Sequence, residues 1–374
     1  MKFRNMAVLA VGGAMAVSLA ACGTNPAGNN PAGTTDYAKL VGIVLPTNSE
    51  SRWPAAEAQF KSVMPGATVL YSNKSTATEK TNVESLINQG VKYIVICAQD
   101  AAAAAAAVDE AHAAGIKVIA YDRLITGTKN LDYYVTFDSV DVGKAQGQYL
   151  VDQAKGQNNN LYLYAGAASD NNAFLFFQGA WSVLQPKIAD GTFRIVNSPA
   201  AVALQGNATL TRDQQSQIIG QITTNWDPTQ AQTLAQANLA AATADQKGDV
   251  FLLTPNDDGA RPIADAFRAD SAVTTVYSTG QDFTLASLQY ILDGKQSMTV
   301  WKSDTLLVKA SQKIIDAVQA GNTKPDVIVT TYDNGAGQIP STKEAITVVT
   351  KDNLAQAVAD SGMYKIDNGK VAAK

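Results

Sequence analysis

Residues 117–125 read KVIAYDRLI, an apolar run (Val118, Ile119, Ala120) that leads straight into an acid and a base side by side, Asp122 and Arg123. In an open parallel sheet, ligands bind just outside the carboxyl ends of the strands, so a charged pair at that point is placed to meet one. Two earlier strand candidates end in comparable groups. Val41 to Leu45 leads to Ser51, Arg52 and Trp53, and Tyr93 to Ala98 leads to Gln99 and Asp100. These tips are expected to converge on a small polar molecule.

Outward from this stretch, strands and helices alternate. VGIVLP (41–46) precedes a helix over 55–63, ATVLYS (67–72) one over 77–89, and YIVICA (93–98) one over 101–114; VIAYD (118–122) and YYVTFD (133–138) follow. Short apolar runs rich in Val, Ile and Tyr suit strands buried on both faces. After Asp138 the pattern restarts. Helices are expected over 142–154, 173–184, 229–243 and 259–269, with strands at LYLYAG (161–166), FRIV (193–196), VFLLTP (250–255) and TVYSTG (275–280). Residues 197–225, rich in Asn, Gln and Thr, show no clear period and read mostly as loop. Beyond Gln281, helices over 285–292 and 306–320 flank a strand at Met298 to Trp301, and VIVTTYDNG and a tail complete the chain. The fold class is α/β, with two successive doubly wound, Rossmann-like halves of one type.

The strand ends of the second half match those of the first. Asp170, Asn171 and Asn172 follow LYLYAG, Asn256, Asp257 and Asp258 follow VFLLTP, and Gln281 and Asp282 follow TVYSTG. Each hydroxyl of a polyol can donate once and accept twice, so a sugar needs donors and acceptors of this mixed kind. Bonds to charged partners contribute roughly 1.5–3 kcal/mol each. The competing reading of any one Asp or Asn is a cap on the next helix.

The 374 residues, 46% hydrophobic and 17% charged, suffice for two domains of ordinary size. The start of the chain does not belong to them. Lys2 and Arg4 precede a short apolar run, Met6 to Val17, which is too short to span a bilayer and reads as a secretory signal over 1–21. Leu19-Ala20-Ala21-Cys22 resembles the lipobox of bacterial lipoproteins, which implies lipidation at Cys22 and a place on the outer face of the cytoplasmic membrane. Residues 22–37, with the repeated NPAG, read as a flexible tether. Loss of Lys2 and Arg4 takes the net charge from -4 to -6, which argues against nucleic acid as a partner.

Cys97 lies in an apolar strand and reads as a buried small hydrophobe. The only histidine, His112, would have to serve any Ser-His-Asp or Cys-His chemistry, and metal sites of two or more His are excluded. No Gly-rich phosphate loop follows any strand. No cofactor and no metal are expected.

Seven segments carry a resemblance: Ser51-Arg52-Trp53, GIKVIAYDRLI (115–125), Thr136-Phe137-Asp138 with Val142-Gly143 and Gln146, Asp170-Asn171-Asn172-Ala173, Trp226-Asp227-Pro228, Gly280-Gln281-Asp282, and MTVWK (298–302). In this order they resemble the periplasmic sugar-binding proteins of ABC transporters, in the D-xylose-binding and multiple-monosaccharide-binding branch. The resemblance implies the type I periplasmic binding protein fold: two lobes joined by a three-crossover hinge and closing on a monosaccharide, an aldopentose or aldohexose such as xylose, glucose, galactose or arabinose. It implies sugar contacts from Arg52, Asp122, Arg123 and Lys302 on one side and Asp170, Asn172, Asn256 and Asp282 on the other, with Trp53 and Trp226 as the stacking pair.

The expected lobes are 38–138 plus 283–331 and 139–282 plus 332–374, with crossovers near Asp138, Gln281 to Phe283, and Thr330 to Asn334. The implied partners are the permease subunits of an ABC transporter, with the chain itself a monomer. This chain departs from the family pattern in an additional acid at Asn256-Asp257-Asp258-Gly259 and in residues 197–225.

Three other readings compete. A glycoside-processing enzyme would use Asp122 and Asp282 as its carboxylate pair, but Arg123 and Lys302 nearby would hold both acids ionised. A sugar-responsive regulator would need a helix-turn-helix where this chain has a signal and a tether. A lipoprotein that senses sugar for a receptor stays open beside transport.

Overall fold

The computed structural model describes residues 35–374. The signal at 1–21, the lipidation site Cys22 and nearly all of the tether lie outside the described residues. The end of the expected tether, however, is folded. Tyr37 opens the short helix α1 (Tyr37–Leu40), is buried, and donates its hydroxyl to Asp316 at 2.9 Å.

The first sheet begins with β1 (Val41–Leu45), α2 (Arg52–Val63), β2 (Thr68–Tyr71), α3 (Thr76–Gln89) and β3 (Tyr93–Ile96). It continues through α4 (Ala105–Ala113), β4 (Lys117–Tyr121) and β5 (Tyr133–Val135). The chain then passes to α5 (Ser139–Gln153), β6 (Asn159–Leu163), α6 (Asn171–Ala189), β7 (Phe193–Ile195), α7 (Pro199–Ala203), α8 (Arg212–Ile222) and α9 (Pro228–Ala241). Next come β8 (Gly248–Leu253), α10 (Asp257–Arg268), β9 (Val273–Ser278), α11 (Leu285–Leu292), β10 (Met298–Trp301) and α12 (Asp304–Gln319). The last elements are β11 (Thr330–Asp333), β12 (Gln338–Ser341), β13 (Thr347–Thr350), α13 (Leu354–Ser361), β14 (Tyr364–Asp367) and β15 (Lys370–Ala373).

One sheet has the order β11-β12-β5-β4-β3-β1-β2 and the other β7-β6-β8-β9. Both are parallel, except that β11 runs antiparallel to β12. In each, the second strand in sequence sits outside the first and the third inside it. That is the doubly wound order whose switch point opens a crevice at the strand carboxyl ends. The residues of β1 and β3 are buried throughout, and helices cover both faces. Helices also cover both faces of the second sheet, α6 and α8 on one and α9 and α10 on the other.

Three features correct the sequence reading. Residues 197–225, read mostly as loop, contain α7 and α8, each with a cap: Ser198 accepts from Ala201 N, and Thr211 and Gln214 form a capping box. Two of the crossovers lie elsewhere. β10 bridges to the end of β9 through Gln281 and Val300 and pairs with β13, so the chain leaves the second sheet only after Lys302. β12 pairs with β5, so the last passage follows Ser341 and not Asn334. Residues 283–301 therefore sit with the second sheet and 332–341 with the first, opposite to the boundaries expected above. The helix expected over 101–114 begins at Ala105, because Asp100 takes the amides of Ala102 and Ala103 in a turn.

The helix pair α5 and α6 is set by glycine. A Cβ at Gly143 would lie 1.8 Å from the Phe176 carbonyl oxygen, and one at Gly179 would lie 2.0 Å from that of Val140. The two backbones touch because neither residue has a side chain.

Glu79 on α3 is buried 1% exposed, with Oε2 accepting the Gln99 amide at 2.7 Å. Burial pushes its carboxyl from the ordinary 4.5 up to about 7, against the pull of that amide and of Arg123. A carboxyl raised in the folded state supports stability fully below its ordinary value and loses that support as pH rises through its folded value. Glu79→Gln should therefore gain in melting temperature relative to the parent between pH 5 and pH 8. Parallel melting curves for the two proteins across this range would contradict the assignment.

Candidate functional site

Arg52 is the first residue of α2, just past the carboxyl end of β1, and its guanidinium is surrounded by acids. Nη2 meets Asp122 at 2.7 Å and Asp304 at 3.1 Å, and Nη1 meets Asp282 at 3.1 Å. Asp122 follows β4, Asp282 follows β9 and Asp304 opens α12. Lys302 adds a second cation on Asp282 at 3.1 Å. Burial alone would raise the Asp122 carboxyl, but Arg52, Lys302 and Arg123 outweigh it and hold it below the usual range. Asp304 is affected the other way: burial raises it to about 6 in spite of Arg52.

A second cluster forms around Arg123. Its Nε donates to Asp170 at 2.9 Å, its Nη1 to the Ala98 carbonyl at 3.2 Å, and its Nη2 lies 3.7 Å from Glu50. Glu50 also accepts from Trp53 Nε1 at 2.9 Å. The indole of Trp53 lies between the two clusters, with the Arg52 and Arg123 guanidinium carbons 5.3 and 5.1 Å from its ring centre, distances at which cation and ring attract.

The capping and binding readings of the strand-end residues turn out to be compatible. Asp170 Oδ1 caps α6 through the Asn172 amide while Oδ2 takes Arg123. Asn256 caps α10 through the Gly259 amide and still lines the cleft. Asn172 Nδ2 donates to the Asp122 carbonyl at 2.8 Å and ties the tips of β4 and α6 together. Asp122, Trp226 and Asp282 hold φ of +62°, +59° and +103°, a region that non-glycine residues rarely occupy and that recurs where backbone is held for a ligand. Trp226 packs edge-on to Phe176, ring centres 6.4 Å apart, and fills the space over Gly166, where a Cβ would lie 2.0 Å from its ring.

All ten residues expected at the site line one cleft: Arg52, Trp53, Asp122, Arg123, Asp170, Asn172, Trp226, Asn256, Asp282 and Lys302. The room left among these side chains is only about 20 Å³, far below the roughly 300–1,000 Å³ of small-molecule sites, so the cleft is nearly filled by its own lining. Trp53 and Trp226 both line it. Glu50, Phe176 and Gln281 complete the lining, and Asp304 supports Arg52 from behind. Glu50 stands beside Ser51-Arg52-Trp53, and Phe176 lies one helical turn after Asn172, so spacing offered a signal for both. Among the described residues no cluster of three or more His, Cys, Asp or Glu could hold a metal.

Residues 41–323 match the family model described as periplasmic binding protein domain. The chain is 32% identical to the multiple sugar-binding periplasmic receptor ChvE of Rhizobium radiobacter, over 88% of this chain and 92% of that protein. It is 30% identical to the D-xylose-binding periplasmic protein of Escherichia coli, over 87% and 91%. Among solved structures it resembles a carbohydrate transporter solute-binding protein from Chloroflexus aurantiacus in complex with D-glucose, at 55% identity and a TM-score of 0.85 over 88% of this chain and 97% of that one. A solute-binding protein from Clostridium phytofermentans with bound β-D-glucose has 29% identity and a TM-score of 0.78, over 88% and 100%. With its cleft of paired charges and indoles at the tips of two doubly wound sheets, the chain belongs to the periplasmic binding protein family, in its sugar-binding branch.

Proposed function

We propose that the protein captures a neutral aldopentose or aldohexose between two lobes and delivers it to the permease of an ABC transporter without altering it. The N-terminal lobe in this reading is the seven-stranded sheet with α12. The C-terminal lobe is the four-stranded sheet with α11, β10 and β13 to β15. Cys22 would carry the lipid that holds the exported protein at the outer face of the cytoplasmic membrane.

The observation that carries the reading is the convergence of ten polar and aromatic side chains from distant segments on a single buried cleft. Their charges are paired with one another, so a neutral ligand suits them better than a phosphate or a carboxylate. Of seven buried side-chain atoms without a protein partner among the described residues, three belong to residues lining this cleft: Arg52 Nε, Trp226 Nε1 and Gln281 Oε1. A buried donor or acceptor left unpaired costs about 1–3 kcal/mol, and hydroxyls in the cleft offer partners of both kinds. The apolar faces of a pyranose suit Trp53, Trp226 and Phe176.

A general acid needs a raised pKa, whereas Asp122 is held low by Arg52, Lys302 and Arg123. The test is a thermal-shift screen of the purified protein with D-glucose, D-xylose, D-galactose and L-arabinose, followed by calorimetry, since a ligand of the folded form raises the melting temperature. A rise with at least one of them is expected, and no release of nitrophenol from aryl glycosides. Turnover, or indifference to every sugar, would overturn the reading.

A further inference from the structure

The two acids that follow Asn256 do different work. Asp257 is wholly buried and serves its own side of the molecule. Its carboxylate accepts from Thr284 N at 2.9 Å, Gln296 Nε2 at 2.9 Å and Thr299 Oγ1 at 2.8 Å, fastening the segment just after Asp282 to β10 and the turn before it. Asp258 reaches across the cleft. Its Oδ2 accepts the Ser51 amide at 2.8 Å and its Oδ1 the Ser51 hydroxyl at 3.0 Å. Ser51 is the residue before Arg52 and Trp53, at the N-terminus of α2, while Asp258 lies in the first turn of α10 beside the second sheet.

Arg261 holds the Asp258 carboxylate in place. Its Nη2 donates to Asp258 Oδ1 at 2.6 Å, while its Nη1 is anchored on Ser287 at 2.9 Å and Thr284 at 3.1 Å. Asp258 does not line the cleft, yet it is only 6% exposed. Other contacts run between the same sides: within the cleft Arg52 meets Asp282, Arg123 meets Asp170 and Asn172 Nδ2 meets the Asp122 carbonyl, and outside it the Ala101 amide meets the Ser169 carbonyl at 2.9 Å and the half-exposed Lys74 meets Asp227 at 3.1 Å. Outside the cleft, the Asp258 bond differs from the last two in combining a buried carboxylate, two donors from one residue and a clamp that fixes the acceptor.

We propose that Asp258, oriented by Arg261, is a positioning residue that clasps the N-terminus of α2 in the closed form, and so sets how long a bound sugar is retained whichever sugar it is. The inference rests on the sugar-capture reading above. The clasp makes its bonds only when the two sides meet, and a contact of that kind shifts the balance toward closure. It also holds Arg52 and Trp53 at the angle at which they face the cleft. Because it touches no ligand, its effect should not depend on the pattern of hydroxyls.

The experiment is stopped-flow measurement of association and dissociation of D-glucose and D-xylose with the full chain, its Asp258→Asn and Ser51→Ala variants, and the double variant. Expected are dissociation rates about tenfold higher in Asp258→Asn for both sugars by the same factor, and association rates within about threefold of the parent. Ser51→Ala, which keeps the amide bond, should give a smaller rise, Ser51→Thr should restore it, and the double variant should add little to Asp258→Asn. Unchanged dissociation in Asp258→Asn, or loss confined to one sugar, would overturn the clasp while leaving sugar capture intact. If the parent protein binds neither sugar, nor any other in the thermal screen, the capture reading itself fails and the clasp with it.

Discussion

Arg52→Ala is expected to weaken sugar binding at least hundredfold, on the order of 2.7 kcal/mol, and to lower the melting temperature by roughly 10 °C. Both effects have one cause. The substitution removes the guanidinium that Asp122, Asp282 and Asp304 share, three acids that are nearly inaccessible to water. Breaking a buried ion pair from one side costs about 3–5 kcal/mol, because the partner charge stays behind unneutralised. Lys302 still answers Asp282, so Asp122 and Asp304 bear most of the loss.

The sign of the pH dependence follows from this. In the parent, Asp122 is held low and supports stability at neutral pH. Without Arg52, burial and mutual repulsion push the Asp122 and Asp304 carboxyls up, so the variant should be least stable at pH 8 and recover toward pH 5. Calorimetry at pH 7 and melting curves across that range measure the two effects. A variant that still binds sugar as the parent does would remove Arg52 from the site.

The second large effect is expected at Gly143→Ala, which adds one methyl group where there is no room. The new Cβ would lie 1.8 Å from the Phe176 carbonyl oxygen, an atom of helix backbone that no rotamer change can move. α5 and α6 must then separate by more than an ångström along a contact where Gly179 makes the reciprocal approach to Val140. Overpacking of side chains typically costs about 1–3 kcal/mol, and a clash between two backbones should reach the top of that range or pass it. The melting temperature should fall by about 6 °C or more. Since α6 presents Asn172 and Phe176 to the cleft, sugar affinity should fall as well. A variant with the parent's melting temperature would mean that the two helices are not fixed at this distance.

Much of the architecture was legible because buried parallel strands leave uninterrupted apolar runs. β1, β3, β4, β6 and β8 announce themselves in this way, and the polar residue that ends each run marks the cleft. Other parts were less legible for identifiable reasons. α8 has its buried residues at Gln215, Ile218, Ile219 and Ile222, too few apolar positions to stand out among Asn, Gln and Thr, although Thr211 and Gln214 spelled its capping box. β14 and β15 are half-exposed strands without a long apolar run. Their sign was Asn368-Gly369, both with positive φ, the dipeptide that a two-residue hairpin turn requires. The misplaced crossovers share a cause. Which sheet a strand joins is decided by its pairing partner, and the sequence of β10 or β12 does not name that partner. Glu50 and Asp304 were missed because they bond to the charged residues that the sequence did reveal.

The floor of the cleft is made of charges that already have partners within the protein. A sugar carries no charge, so its arrival neither creates nor dissolves an ion pair, and mobile ions screen buried pairs far less than exposed ones. Affinity should therefore hardly differ between fresh water and brine. The same cleft can then take up sugar alike at low and at high ionic strength.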